Sequence, residues 1–104
     1  MNKQSKKVSC IDIGSNAIKY RQYRLLQNSH LELDTFKRVS LRLGSDAFSS
    51  GKMTDETYLD FLTVLKKLKK HAKKKNAALL GIFATSAMRT FSNREEIIKK
   101  IKKE

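Results

Sequence analysis

The chain has 104 residues, the length of one small domain with little stability to spare. Its 39% hydrophobic and 32% charged content excludes disorder throughout. Lys and Arg number 23 against 10 Asp and Glu, a formal charge of +13, so the chain attracts polyanions non-specifically whatever its specific function.

Residues 1 to 7 read as a flexible basic arm and 8 to 104 as one domain. The arm resembles the start of a signal peptide, but Asp12 interrupts the apolar run that follows. No segment approaches transmembrane length, and the expectation is a cytoplasmic protein without a membrane contact. Cys10 is the sole cysteine, so no disulfide forms within the chain, and its apolar surroundings suit an inert thiol.

Val8 to Ile13 is a short apolar run ending at Gly14, which predicts a buried strand and a tight turn. Ile18 to Leu26 carries Tyr20, Tyr23, Leu25 and Leu26 and reads as a second strand. Gln27 to His30 is a polar hairpin loop. Leu31 to Leu43 alternates loosely and predicts a third strand, bulged near Phe36. Gly44 to Lys52, rich in Gly and Ser, is a loop.

Tyr58, Phe61, Leu62, Leu65, Leu68 and Ala72 follow the spacing of one helix face. Thr54 is the expected N-cap and Asn76 the expected C-cap. Asp55 and Glu56 in the first turn and Lys73 to Lys75 in the last suit the helix dipole. Ala77 to Thr85 predicts a fourth, buried strand. A second helix starts near Ser92 or Asn93, where Ser92 with Glu95, or Asn93 with Glu96, has capping-box spacing. Ile97, Ile98 and Ile101 form its apolar stripe. The order is three antiparallel strands, helix, strand, helix, an α/β arrangement in which a right-handed crossover lays the fourth strand parallel to the first.

Between the first two strands stands Asp12-Ile13-Gly14-Ser15-Asn16. Gly14 permits a turn that a side chain would forbid. Ser15 and Asn16 supply short donors, and successive backbone N–H groups there form an anion-binding concavity. Asp12 at the strand end is placed to hold a metal ion, directly or through water. An ordinary hairpin turn built from Gly, Ser and Asn is the competing reading.

The run Asp12 to Lys19 resembles the opening motif of the exopolyphosphatase/guanosine pentaphosphate phosphohydrolase (Ppx/GppA) family. Val39-Ser40-Leu41-Arg42-Leu43-Gly44 is similar to that family's second motif, and Ala84-Thr85-Ser86-Ala87-Met88-Arg89 to its third, followed by Asn93. The resemblance implies the N-terminal part of an actin-like ATPase domain: an incomplete ribonuclease-H-like half-domain. It implies that Asp12 helps hold Mg²⁺, and that Gly14, Ser15, Asn16, Lys19, Arg42, Thr85, Ser86 and Arg89 bind phosphate, an arginine fork holding two oxygens at once. Polyphosphate or guanosine penta- or tetraphosphate is the implied ligand.

The family's second phosphate loop and its water-activating glutamate have no counterpart in these residues. Glu95 and Glu96 are better explained as capping residues. The expectation is therefore an N-terminal exopolyphosphatase-like fragment, inactive alone, with a homodimer partner or a missing C-terminal half. Phe91 stands where the family has a small residue, and Lys19 where it often has arginine.

Seven lysines occupy the ten positions from 66 to 75, and four more lie between 99 and 103. They form either a solvated helix face or a polyanion-binding surface. Hence the alternative function is a non-catalytic polyphosphate or nucleic-acid binding module. No helix-turn-helix spacing, zinc-ligand spacing or paired aromatic signature supports sequence-specific nucleic-acid recognition. His30 and His71 lack ligand partners at metal spacing.

Overall fold

The computed structural model describes residues 6–44, 50–84 and 91–103, with side chains up to residue 99. Its elements are β1 (Lys6–Ile13), β2 (Ala17–Leu25), β3 (Leu31–Ser40), α1 (Asp55–Lys74), β4 (Ala77–Ala84) and α2 (Arg94–Lys103). They form one mixed sheet in the order β3-β2-β1-β4. β1 pairs antiparallel with β2, β2 antiparallel with β3, and β4 parallel with β1. The α/β order expected from the sequence is the one found, and β1 begins two residues earlier than the apolar run suggested.

Alternation in the first two strands sets the register. Ile11 faces Tyr20, Ile13 faces Ile18, and Ser9 faces Gln22, placing these six side chains on one face. All six are buried. Sliding the pairing by one residue would exchange them for Cys10, Asp12, Lys19 and Arg21, so burial fixes the register. The expected bulge is present: Gln22 pairs with Thr35 but Tyr23 with Leu33, leaving Asp34 as the extra residue, two positions from Phe36. Asp34 Oδ2 accepts a bond from Gln22 Nε2 at 2.7 Å, and Tyr20 Oη donates to Gln22 Oε1 at 2.7 Å. That chain satisfies a glutamine only 1% exposed.

α1 covers this face with Phe61, Leu65, Leu68 and Ala72, the stripe expected from its spacing. Burying each large apolar side chain contributes about 1.5–3 kcal/mol, so this stripe holds the helix to the sheet. Thr54 is the N-cap, its Oγ1 accepting from the Thr57 N–H at 3.2 Å. The C-terminus differs from expectation by one residue. Lys75 is the C-cap, and Asn76 lies beyond it at φ 56°, a left-handed position that asparagine tolerates and that ends helices.

β4 departs more from its expectation as a buried strand. It is a sheet edge with one covered face, and Leu80 and Phe83 are 69% and 58% exposed. Its apolar run reflects a second sheet face left open, which Leu33 and Phe36 share. In α2, Ile97 joins the core while Ile98 is exposed. Phe91 is 1% exposed and packs in the same core, so the bulky residue there serves as an anchor.

Candidate phosphate-binding turn

The β1–β2 connection is pinned by three backbone bonds. The Gly14 N–H donates to the Ala17 carbonyl at 2.9 Å. The Ser15 carbonyl accepts from the Gly44 N–H at 2.8 Å, and the Asn16 carbonyl from the Leu41 N–H at 3.0 Å. The last two bonds explain why the third strand stops at Ser40 rather than Leu43: Leu41 leaves the ladder to brace the turn. Gly14 is needed for space, since a Cβ there would meet the Ala17 carbonyl oxygen at 3.2 Å, and its φ is not left-handed.

These bonds use the carbonyls of Ser15 and Asn16 and leave their N–H groups pointing to no protein acceptor among the described residues. Asn16 is exposed and Ser15 half-buried. Two adjacent donors on a fixed backbone, flanked by a hydroxyl and an amide, make a small concavity suited to an oxyanion. Arg42 is exposed and adjoins Leu41, whose N–H is bonded to Asn16. Lys19 lies opposite Asp12 on β2, on the open face of the sheet. Gly14, Ser15, Asn16, Lys19 and Arg42 thus gather at one end of the sheet. Thr85, Ser86 and Arg89 lie outside the described residues, although β4 ends opposite Ile13 at Ala84.

Asp12 is not free. Its Oδ2 lies 3.7 Å from Arg21 Nη1, both side chains about one-third exposed. Arg21 also stacks over Phe36 at 5.3 Å from the ring centroid. The sequence reading gave Arg21 no role. Its signal was the pairing pattern: Arg21 faces Cys10, one step diagonal from Asp12 on the same face. Among the described residues no group of three or more His, Cys, Asp or Glu comes together. A single carboxylate does not cage a metal, but Mg²⁺ commonly takes one or two carboxylates and fills its shell with water and phosphate oxygens. A lone carboxylate with water and phosphate oxygens is compatible with such a hard, oxygen-preferring ion.

Asn93, which the third motif leads to, braces the far side. Its Oδ1 accepts from the Met53 N–H at 3.2 Å and its Nδ2 donates to the Met53 carbonyl at 3.4 Å. The Ser92 N–H donates to Gly51 at 2.8 Å. These contacts tie the start of α2 to the entry of α1.

The fold defines an α/β lobe with a braced turn after its first strand. No family model matches the chain. It is 28% identical over 98 residues to Exopolyphosphatase 1 of Mycobacterium tuberculosis and of Mycobacterium bovis, a match that covers 94% of this chain and 28% of theirs. A Ppx/GppA protein of Aquifex aeolicus superposes with a TM-score of 0.88 at 24% identity, over 97% of this chain and 33% of that one. An exopolyphosphatase of Cytophaga hutchinsonii superposes with a TM-score of 0.83 at 24% identity, over 95% and 31%. The chain is similar to these proteins and spans about a third of their length. No helix among the described residues is long and apolar enough to cross a membrane.

Proposed function

We propose that these residues form one wall of a phosphoanhydride-binding cleft of the exopolyphosphatase type. The observation that supports the reading is the turn itself: carbonyls pinned, and adjacent N–H groups without an acceptor among the described residues. A terminal phosphate of polyphosphate, or of a guanosine penta- or tetraphosphate, accepts from the Ser15 and Asn16 N–H groups. Lys19 and Arg42 offset its charge from either side. Asp12 would hold Mg²⁺ through water, and the ion when bound neutralises charge on the phosphate oxygens. Thr85, Ser86 and Arg89 complete the cleft on the resemblance of their motif.

Phosphoanhydride hydrolysis also needs a positioned water and a cleft closed to bulk solvent. One wall supplies neither, so the 104-residue polypeptide by itself binds phosphate and does not turn polyphosphate over. A thermal-shift titration with tripolyphosphate and Mg²⁺ tests the binding, because a ligand of the folded state raises its melting temperature. Asn16→Asp places a carboxylate where the phosphate sits and should reduce the shift. An undiminished shift in that variant would reject the turn as the site. Phosphate release that Asp12→Ala abolishes would reject the absence of turnover.

A further inference from the structure

The basic residues are sorted along the sheet. β3 ends at the turn, and β4, which follows α1, starts opposite Lys7 at the far end of the sheet and runs parallel to β1 back toward the turn. α1 therefore runs away from the turn. Its 20 residues span about 30 Å at 1.5 Å per residue. Its acids, Asp55, Glu56 and Asp60, all lie at the turn end. From Phe61 to Lys74 it carries none, and Lys70, Lys73 and Lys74 are exposed, as is Lys75 at the cap.

The far end of the sheet adds to this charge. Lys7 pairs with Ala77 on one side and Arg24 on the other, so β1 delivers Lys6 and Lys7 beside the α1 C-terminus. The negative end of the helix dipole favours cations there and lets them crowd. The acids of this pole are Glu32 and Asp34, and both are taken by Arg24, at 3.2 Å and 3.6 Å. The lysines are left with no carboxylate partner among the described residues.

We infer that this pole is a second anion site, separate from the turn, which binds a linear phosphate polyanion along its backbone. Lys67, Lys70 and Lys74 stand at i, i+3 and i+7, a row with steps of about 5–6 Å, and Lys73 flanks it one turn on from Lys70. Such a row meets successive charges of a chain rather than one phosphate group. Among the described residues α1 carries no exposed aromatic on which bases could stack, so recognition rests on charge and is strongly salt-dependent. The two sites lie at opposite ends of a helix of about 30 Å, so a short oligophosphate reaches only one of them.

Two charge-matched variants of the full chain test this. Lys73→Glu with Lys74→Glu alters the pole. Arg38→Glu with Lys52→Glu removes the same charge at the turn end. Binding of long-chain polyphosphate and of single-stranded oligothymidylate is followed by fluorescence anisotropy across a salt series. The pole pair should weaken binding about ten-fold and flatten the salt slope by about 1.4 on the single strand, and the control pair should change affinity less than about two-fold. Loss on both polymers assigns the shared phosphate backbone, and loss on one identifies which polymer the pole takes. Equal losses in the two pairs, or none in the pole pair, would overturn the inference. If circular dichroism shows the glutamate pair unfolded, Lys73→Gln with Lys74→Gln gives the same comparison with the helix end less disturbed.

Discussion

Gly44 donates its N–H to the Ser15 carbonyl at 2.8 Å, and a Cβ on Gly44 would lie 3.4 Å from the Cβ of Ser15. Two motifs far apart in sequence are thus one structural unit. The second motif supports the first, and protein backbone bonds hold the turn. Preorganised donors of this kind bind anions at little conformational cost.

The closest approach in the turn is at Gly14. Gly14→Ala sets a methyl group 3.2 Å from the Ala17 carbonyl oxygen, against backbone that cannot swing aside. Overpacking of this kind costs about 1–3 kcal/mol. Urea unfolding should show that loss, and tripolyphosphate should stabilise the variant less than the parent.

Asn93 closes two bonds on the Met53 backbone. Asn93→Ala leaves the Met53 N–H and carbonyl without these partners, at a cost of about 1–3 kcal/mol. The melting temperature should fall while the affinity of the turn for phosphate stays within about two-fold, since Asn93 braces the helix entry rather than the turn. A loss of affinity with no loss of stability would instead make Asn93 a ligand.

Phe61 is fully buried between α1 and the sheet. Phe61→Ala should cost about 3–5 kcal/mol. Small domains have about 5–15 kcal/mol in all, so this variant should be largely unfolded in mild denaturant. Far-ultraviolet circular dichroism checks it.

His71 gives the stability a pH dependence. Its ring packs edge-on to Tyr20 at 5.2 Å, and its Nε2 is buried without a hydrogen-bond partner. Burial, with Lys37, Lys75 and Lys74 nearby, lowers its pKa from the usual 6.5. The helix dipole pulls the other way, but burial and three cations outweigh it. The unfolded chain therefore takes up a proton first. Stability contributed by neutral His71 is complete above the unfolded value of 6.5 and declines as pH falls through it toward the lowered folded value. Urea midpoints should drop over that window in the parent and drop less in His71→Phe.

Element order was legible in the sequence because period and caps agreed. The α1 stripe, Thr54 and the alternation of β1 and β2 each point to one solution. β4 was misread because an apolar run does not tell a central strand from an edge strand whose second face lies open. The helix C-cap was placed one residue late, at Asn76 instead of Lys75, since only the backbone shows which residue turns left-handed. Within the site, the sequence showed which residue types were present but not their partners. The Arg21 contact to Asp12 needs strand register, and the Gly44 brace on Ser15 needs the third strand to end early. Thr85, Ser86 and Arg89 rest on motif resemblance alone.

The proposed grip on a terminal phosphate rests on the N–H groups of Ser15 and Asn16, which find no acceptor among the described residues. Titration of the ¹⁵N-labelled chain with tripolyphosphate and Mg²⁺, followed by amide resonances, tests it most directly. If the turn binds the terminal phosphate, the Ser15 and Asn16 amides move first and furthest, downfield as they donate to phosphate oxygens, ahead of the lysine pole at Lys73 to Lys75. Saturating shifts confined to the pole, with Ser15 and Asn16 unmoved, would contradict it.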